Sequence, residues 1–125
     1  MNVVDSSGWL EYFADGPNAD IFQPVLRKTD ELLVPTISLY EVSKKLLLEL
    51  GEEEANWAIG VMMQGRVVPL DEGLALFASR ISVTYKLPMA DSVILATAIQ
   101  FDAILWTQDA DFDGLPNVRY FPKAS

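Results

Sequence analysis

The chain has 125 residues, half of them hydrophobic, with nine Lys and Arg against eighteen Asp and Glu and with no Cys or His. That length suits one domain with a full apolar core, and that hydrophobicity excludes a disordered chain. The missing histidines exclude an imidazole base, a Ser-His-Asp triad and His-ligated zinc, while a net charge of −9 opposes general phosphate binding.

In chain order, NVVD (2–5) reads as a short strand that stops at Asp5. SSGWLEYFAD (6–15) and PNADIFQPVLRKT (17–29) read as two short helices divided by Gly16-Pro17. LLVPTI (32–37) is a second strand. SLYEVSKKLLLEL (38–50) follows as a helix, with Leu39, Val42, Leu46 and Leu50 on its apolar stripe and Gly51 as its stop. EEEANWAIGVMMQ (52–64) is a helix whose opening acids suit its dipole. RVVPL (66–70) is a strand, and DEGLALFASRISVTYK (71–86) is a helix capped by Asp71. Pro88 opens the helix MADSVILATAIQ (89–100), AILWT (103–107) is a buried strand, and NVRYF (117–121) is a weak edge strand. No apolar run nears the roughly 20 residues of a membrane span. The N-terminus has no basic region followed by a long apolar stretch, so neither a signal peptide nor membrane association is expected. The absence of cysteine fits a reducing, cytoplasmic location.

Helices between successive strands predict a single α/β domain over residues 1–125. Its architecture is a three-layer α/β/α sandwich with a central parallel sheet of four to five strands. In such sheets ligands bind outside the carboxyl ends of the strands. Asp5 ends the first strand, Glu41 lies one turn into the helix after the second, and Asp109 follows the fourth strand after Thr107. Asp91 heads a helix antiparallel to the strand it feeds, which brings it to the same edge. Each acid also has a structural reading. Asp5 before Ser6-Ser7 suits a helix cap, Ser38 and Glu41 fit a capping box, Asp91 suits a helix dipole, and Asp109 or Asp111 suits the cap of a short turn. Phe112 is expected to insert under the next turn and hold Asp111 further along the loop. Jointly the acids say more. Two carboxylates about 4 Å apart repel by about 4 kcal/mol at an effective dielectric of about 20, so four on one edge call for a neutralising cation. Oxygen ligands alone suit Mg²⁺ or Mn²⁺.

The segments VVDSS (3–7), SLYE (38–41), ADSVILATA (90–98) and ILWTQDADF (104–112) resemble, in order and over essentially the whole chain, the PIN-domain ribonucleases, and among them the VapC-like toxins of toxin–antitoxin pairs. The resemblance implies that Asp5, Glu41, Asp91 and Asp109 are the catalytic, metal-binding quartet. Thr107 matches the family's hydroxyl residue, and Ser6 and Asp111 are supporting residues. Two positions depart from the pattern: Asp102 stands where Gly is frequent, and Gln108 where a basic residue or Asn is common. The implied function is a metal-dependent endoribonuclease with one or two Mg²⁺ or Mn²⁺ ions, acting on tRNA or rRNA loops and leaving 5′-phosphate and 3′-hydroxyl ends. A cognate antitoxin would block the site, and a homodimer is expected. Lys44 and Lys45, one turn beyond Glu41, are the candidate RNA contacts.

Two other functions fit parts of the pattern. A receiver-type phosphoacceptor domain would use Asp71, Thr107 and Lys123, and a PIN-like scaffold without cleavage would only bind partners. Trp9, Trp57 and Trp106 read as packing residues rather than base-stacking platforms. Met62-Met63 with Trp57 reads as a soft apolar patch, either core or a partner surface.

Overall fold

The structure is a computed structural model that describes residues 1–124. Five strands carry the sheet: β1 (Asn2–Val4), β2 (Leu32–Pro35), β3 (Arg66–Val68), β4 (Ile104–Thr107) and β5 (Val118–Tyr120). Six helices connect them: α1 (Ser6–Phe13), α2 (Ala19–Arg27), α3 (Thr36–Glu49), α4 (Glu52–Met62), α5 (Glu72–Tyr85) and α6 (Met89–Gln100). Short 3₁₀ turns at Thr29–Glu31 and Ala110–Phe112 complete the chain.

All strand pairs are parallel, in the order β3-β2-β1-β4-β5. The chain therefore winds outward from β1 through β2 to β3, then returns to the other side of β1 for β4. That reversal opens a crevice at the carboxyl ends of β1 and β4, the place where doubly wound sheets bind ligands. Side chains alternate across the sheet with a period of two. Val3, Leu33 and Leu105 pack under α5 and α6, and Val4, Leu32, Val34 and Trp106 pack under α1 to α4. The three layers expected from the sequence are present, with five strands in the sheet.

Helix α6 is the central buttress. Residues Ser92 to Ala98 are all buried, so this helix is apolar on every side and packs between the sheet and α5. It stops at Asp102, whose φ of 51° is left-handed. Asp fills that conformation at tolerable strain, in the position where glycine is the usual choice.

Several local expectations change. Helix α3 begins at Thr36 behind Pro35, two residues before Ser38. Ser38 thus sits inside the first turn, buried and with its hydroxyl unpartnered, so no capping box forms with Glu41. Leu50 leaves the apolar stripe and is 60% exposed, because the helix has already ended at Glu49. Trp9 is buried as expected, but Trp57 is 64% exposed. The methionine pair divides: Met62 belongs to the core and Met63 faces outward.

Asp71 caps α5 as expected, its side chain accepting from the Leu74 N–H at 2.9 Å. Asp71→Ala removes one satisfied donor of the first turn and should cost about 1 kcal/mol. The melting temperature should fall by a few degrees, measured by circular dichroism, with no change in the response to divalent cations.

Candidate active site

The β1–β4 crevice is built around Asp5. The Asp5 N–H donates to the Trp106 carbonyl at 3.2 Å, extending the ladder one residue beyond β1. The carboxylate is 3% exposed and is held by four donor contacts. Thr107 Oγ1 donates at 2.8 Å, the Gly8 N–H donates at 3.0 Å, and Ser7 Oγ lies 2.9 Å from each oxygen. The Gly8 contact needs glycine itself, since a Cβ there would meet Val4 Cγ1 at 2.5 Å and Phe22 at 3.0 Å. Asp5 therefore caps α1 and faces the crevice at once. Burial pushes its pKa up to about 6, and the Thr107, Gly8 and Ser7 hydrogen bonds oppose that rise.

Glu41 reaches the edge from α3, where Ser6 Oγ donates to its Oε1 at 2.6 Å. The bond fixes Glu41 against the start of α1 and replaces the local cap that the sequence suggested. Asp109 is held twice. Its N–H donates to Thr107 Oγ1 at 2.9 Å, and its Oδ1 accepts from the Asp111 N–H at 2.9 Å. Asp109, and not Asp111, is thus the cap of the 3₁₀ turn at Ala110–Phe112. Phe112 is fully buried, as expected, yet it does not carry Asp111 away. One carboxylate oxygen each from Asp91, Asp109 and Asp111 lie within 4.8 Å of one another. The tightest group is therefore Asp91, Asp109 and Asp111, with Asp5 and Glu41 flanking it. Sequence order gave no sign that Asp111 would turn back toward Asp91. The signal was geometric, a 3₁₀ turn that returns the chain over two residues.

Asp91 feels the whole cluster. Burial raises its pKa first, and the charges of Asp109, Asp5, Glu41 and Asp111 raise it further, to about 7. No cation answers them, since the one ion pair among the described residues joins Lys45 to Glu49 at 2.9 Å on exposed α3. An oxygen-only donor set, partly buried and with no basic side chain paired to it among the described residues, is the chemistry that a hard divalent cation fits.

Lys44 and Lys45 border a shallow cleft that Glu41 also lines. Lys44 lies over the Tyr40 ring at 5.9 Å, and Lys45 bonds to Glu49. The receiver-type grouping does not assemble. Asp71 follows the edge strand β3, which two strands separate from β4 and Thr107, and its carboxylate is occupied as the α5 cap. Asn18 escaped the sequence reading, and Gln108 stood out there only as a departure from the family pattern, with no partner. Asn18 and Gln108 are both buried, and Asn18 Nδ2 donates to Gln108 Oε1 at 3.0 Å. Their pairing spans 90 positions, and no local pattern announces it.

Raised carboxylate pKa values make stability depend on pH. From about pH 4 to pH 7 the native state holds protons on Asp5 and Asp91 that the unfolded chain has lost, so stability falls as pH rises through that window. In EDTA the melting temperature should be lower at pH 8 than at pH 5.5, and millimolar Mn²⁺ should restore it at pH 8. Asp91→Asn should raise the metal-free melting temperature at pH 8 and blunt the Mn²⁺ response. A lower metal-free melting temperature in that variant would mean that Asp91 stabilises the helix terminus more than its neighbours repel it.

The fold agrees with what comparison with known proteins finds. The family model of the PIN domain matches residues 3–117. No curated protein matches the sequence. Among solved structures, a toxin–antitoxin complex from Klebsiella pneumoniae superposes with a TM-score of 0.84 at 19% identity, covering 99% of this chain and 100% of that one. DNA-bound VapBC from Salmonella typhimurium gives 0.77 at 16% identity, over 98% and 97% of the two chains. The sarcin–ricin-loop-cleaving toxin VapC20 of Mycobacterium tuberculosis gives 0.76 at 18% identity, over 95% and 99%. No helix of the described residues is long and apolar enough to cross a membrane. With a parallel sheet whose switch point gathers its acids, and a family match over nearly its full length, the chain belongs to the PIN domain family.

Proposed function

We propose that this PIN-domain protein is a metal-dependent endoribonuclease toxin, neutralised by a cognate antitoxin, that cleaves phosphodiester bonds in RNA loops of the tRNA or rRNA class. The observation that carries the proposal is the uncompensated acidic cluster. Asp91, Asp109 and Asp111 bring oxygens within 4.8 Å of one another, Asp5 and Glu41 lie beside them, and no basic side chain is paired with any of the five among the described residues. Support for the toxin role comes from the solved toxin–antitoxin structures that share the fold. Support for the substrate class comes from VapC20, whose target is the sarcin–ricin loop. A homodimer and a cytoplasmic location belong to the same reading. Tyr40, Leu47 and Leu48, all exposed, line one cleft on α3, apolar surface of the kind that a partner chain covers.

Asp5, Glu41, Asp91 and Asp109 are the proposed catalytic and metal-binding residues, with Asp111, Thr107 and Ser6 supporting them. A bound Mg²⁺ or Mn²⁺ would supply charge neutralisation at the phosphate and a lowered water pKa. The protein supplies the rest. Thr107, Ser7 and the Gly8 N–H hold the Asp5 carboxylate in one orientation, and Ser6 does the same for Glu41. With no histidine in the chain, a carboxylate of the cluster must orient the attacking water. Lys44 and Lys45 would meet the RNA backbone beyond Glu41.

The decisive assay is cleavage of structured RNA with Mn²⁺ or Mg²⁺ and with EDTA. Cleavage should require the cation and leave 5′-phosphate ends. Metal-independent binding without cleavage would favour the scaffold function instead. Asp109→Asn keeps an oxygen that can accept from the Asp111 N–H, so it tests charge rather than the cap. It should lower single-turnover cleavage by about 100-fold or more. Asp111→Asn, at an exposed position where water screens the charge, should lower it by about 10-fold. The reverse ranking would make Asp111 the fourth carboxylate.

The same RNA would report on the lysines. Contact through few cations on an acidic surface gives a shallow dependence of binding on salt. Lys44→Ala and Lys45→Ala should each weaken RNA binding several-fold while Mn²⁺ affinity stays unchanged. Wild-type binding in both variants would route the RNA over another face.

A further inference from the structure

Three segments that share no sequence neighbourhood meet at one buried amide. Asn18 sits where the α1–α2 connection enters α2, and it is 8% exposed. Its backbone N–H donates to Glu11 Oε2 at 2.8 Å, which fixes the residue at the end of α1. Its Nδ2 donates to Gln108 Oε1 at 3.0 Å and to the Pro122 carbonyl at 3.1 Å. Both side-chain N–H groups are therefore used. One goes to the turn after β4, and the other goes to the segment after β5.

Gln108 is 6% exposed and stands between Thr107 and Asp109. On one side, Thr107 Oγ1 donates to Asp5 and accepts from the Asp109 N–H. On the other, Asp109 Oδ1 caps the 3₁₀ turn that carries Asp111. An interior glutamine at this point is costly unless it is satisfied, because an unpaired buried amide loses its hydration without return. The pair, with Gln108 Nε2 also 3.5 Å from the Ser7 carbonyl, thus ties the turn backbone to the start of α2 and the segment after β5. Shifting Gln108 would shift Asp109 directly, and Asp111 through the Asp109 cap.

We propose that Asn18 and Gln108 are positioning residues for the acidic cluster: their side-chain hydrogen bond sets the Thr107–Asp111 turn at the height that brings Asp109 and Asp111 beside Asp91. The pair touches no reacting group. It acts through the backbone of the turn, and it rests on the cation-binding reading of the same site. Partners one step removed from metal ligands commonly carry 10–100-fold in metal affinity, and this turn carries both the proposed ligand Asp109 and the supporting Asp111.

The test uses the full-length protein with Asn18→Leu, Gln108→Met and the double variant, each close in volume to the residue replaced. Two quantities are measured. The first is amide hydrogen exchange in EDTA across residues 107–113, where the Asp109, Asp111, Phe112 and Asp113 N–H groups are bonded within the turn. The second is Mn²⁺ affinity by calorimetry or electron paramagnetic resonance. Both single variants should exchange faster in that turn alone and bind Mn²⁺ about 10-fold or more weakly. The double variant should be no weaker than the worse single one, since a pair acting as a unit is lost once. Unchanged exchange and affinity in both single variants would overturn the proposal. So would faster exchange throughout the domain, which marks a general loss of stability rather than a displaced turn. If the unaltered protein bound no Mn²⁺, the cation-binding reading would fall. Exchange in the turn would then still decide whether the amide pair positions it.

Discussion

The Thr107 hydroxyl donates to Asp5 Oδ2 at 2.8 Å and accepts from the Asp109 N–H at 2.9 Å, so one buried oxygen sets the distance between the two halves of the acidic edge. Its position follows from the sheet. Val4 pairs with Trp106, and the Asp5 N–H bonds to the Trp106 carbonyl. The last residue of β4 is thereby fixed opposite the first residue beyond β1. Wherever a parallel sheet reverses direction, two strand ends lie side by side with no crossover covering them. Here that opening holds Asp5 on one strand and Thr107 on the other. Asp91 arrives on α6, which packs on both of these strands, Asp109 and Asp111 follow β4 directly, and Glu41 comes from α3 behind β2.

Assembling these acids is unfavourable for the fold, and the structure shows how the strain is distributed. Asp5 is nearly inaccessible, but its hydrogen bonds return part of what burial removes, and its pKa settles at about 6. The Asp91 pKa rises further, to about 7: burial raises it first, the charges of Asp109, Asp5, Glu41 and Asp111 add to that, and no hydrogen bond of the kind that holds Asp5 opposes the rise. A helix apolar on every side carries Asp91. It cannot slide or rotate to relieve the repulsion without exposing Ile94 and Leu95. The core therefore holds the cluster together against its own charge, as expected where strain is retained for function.

Much of this was legible in the sequence because it follows from local rules. Strand and helix order, the Pro88 start of α6, the Asp71 cap and the left-handed Asp102 all depend on residues within one or two turns. What was not legible depends on partners far along the chain. Glu41 looked like half of a capping box with Ser38. Pro35, with its φ fixed near −62°, instead starts α3 at Thr36, and Glu41 is free to take the Ser6 hydroxyl 35 residues away. Asp111 looked displaced from the site because an inserted Phe112 should hold it further along the loop; Phe112 does insert, yet the 3₁₀ turn brings Asp111 back beside Asp91. The Asn18–Gln108 bond was not legible: Gln108 departs from the family pattern, but nothing near it in the chain points to a partner 90 positions away. Exposure failed similarly at Trp57 and Leu50, where composition suggests burial but the helix face or helix end decides it.

Net charge, which first argued against a polyanionic substrate, takes on a different meaning once the cluster is located. Part of the −9 is concentrated at one crevice, where it repels phosphate only as long as it is uncompensated. Each divalent cation held there cancels two of those charges at the point where a phosphate would approach. The lysines beside Glu41 add a smaller share. Lys45 is paired with Glu49 and Lys44 lies over Tyr40, both on the exposed face of α3, where screening is strong. On the nuclease reading, attraction for the substrate is then a property of the cation-loaded site rather than of the protein surface. Linkage requires the converse as well: a phosphate in the crevice strengthens the hold on the cation by the same free energy. An acidic protein can in this way bind RNA without a basic face, provided that its carboxylates are clustered enough to need the ion that the phosphate also needs.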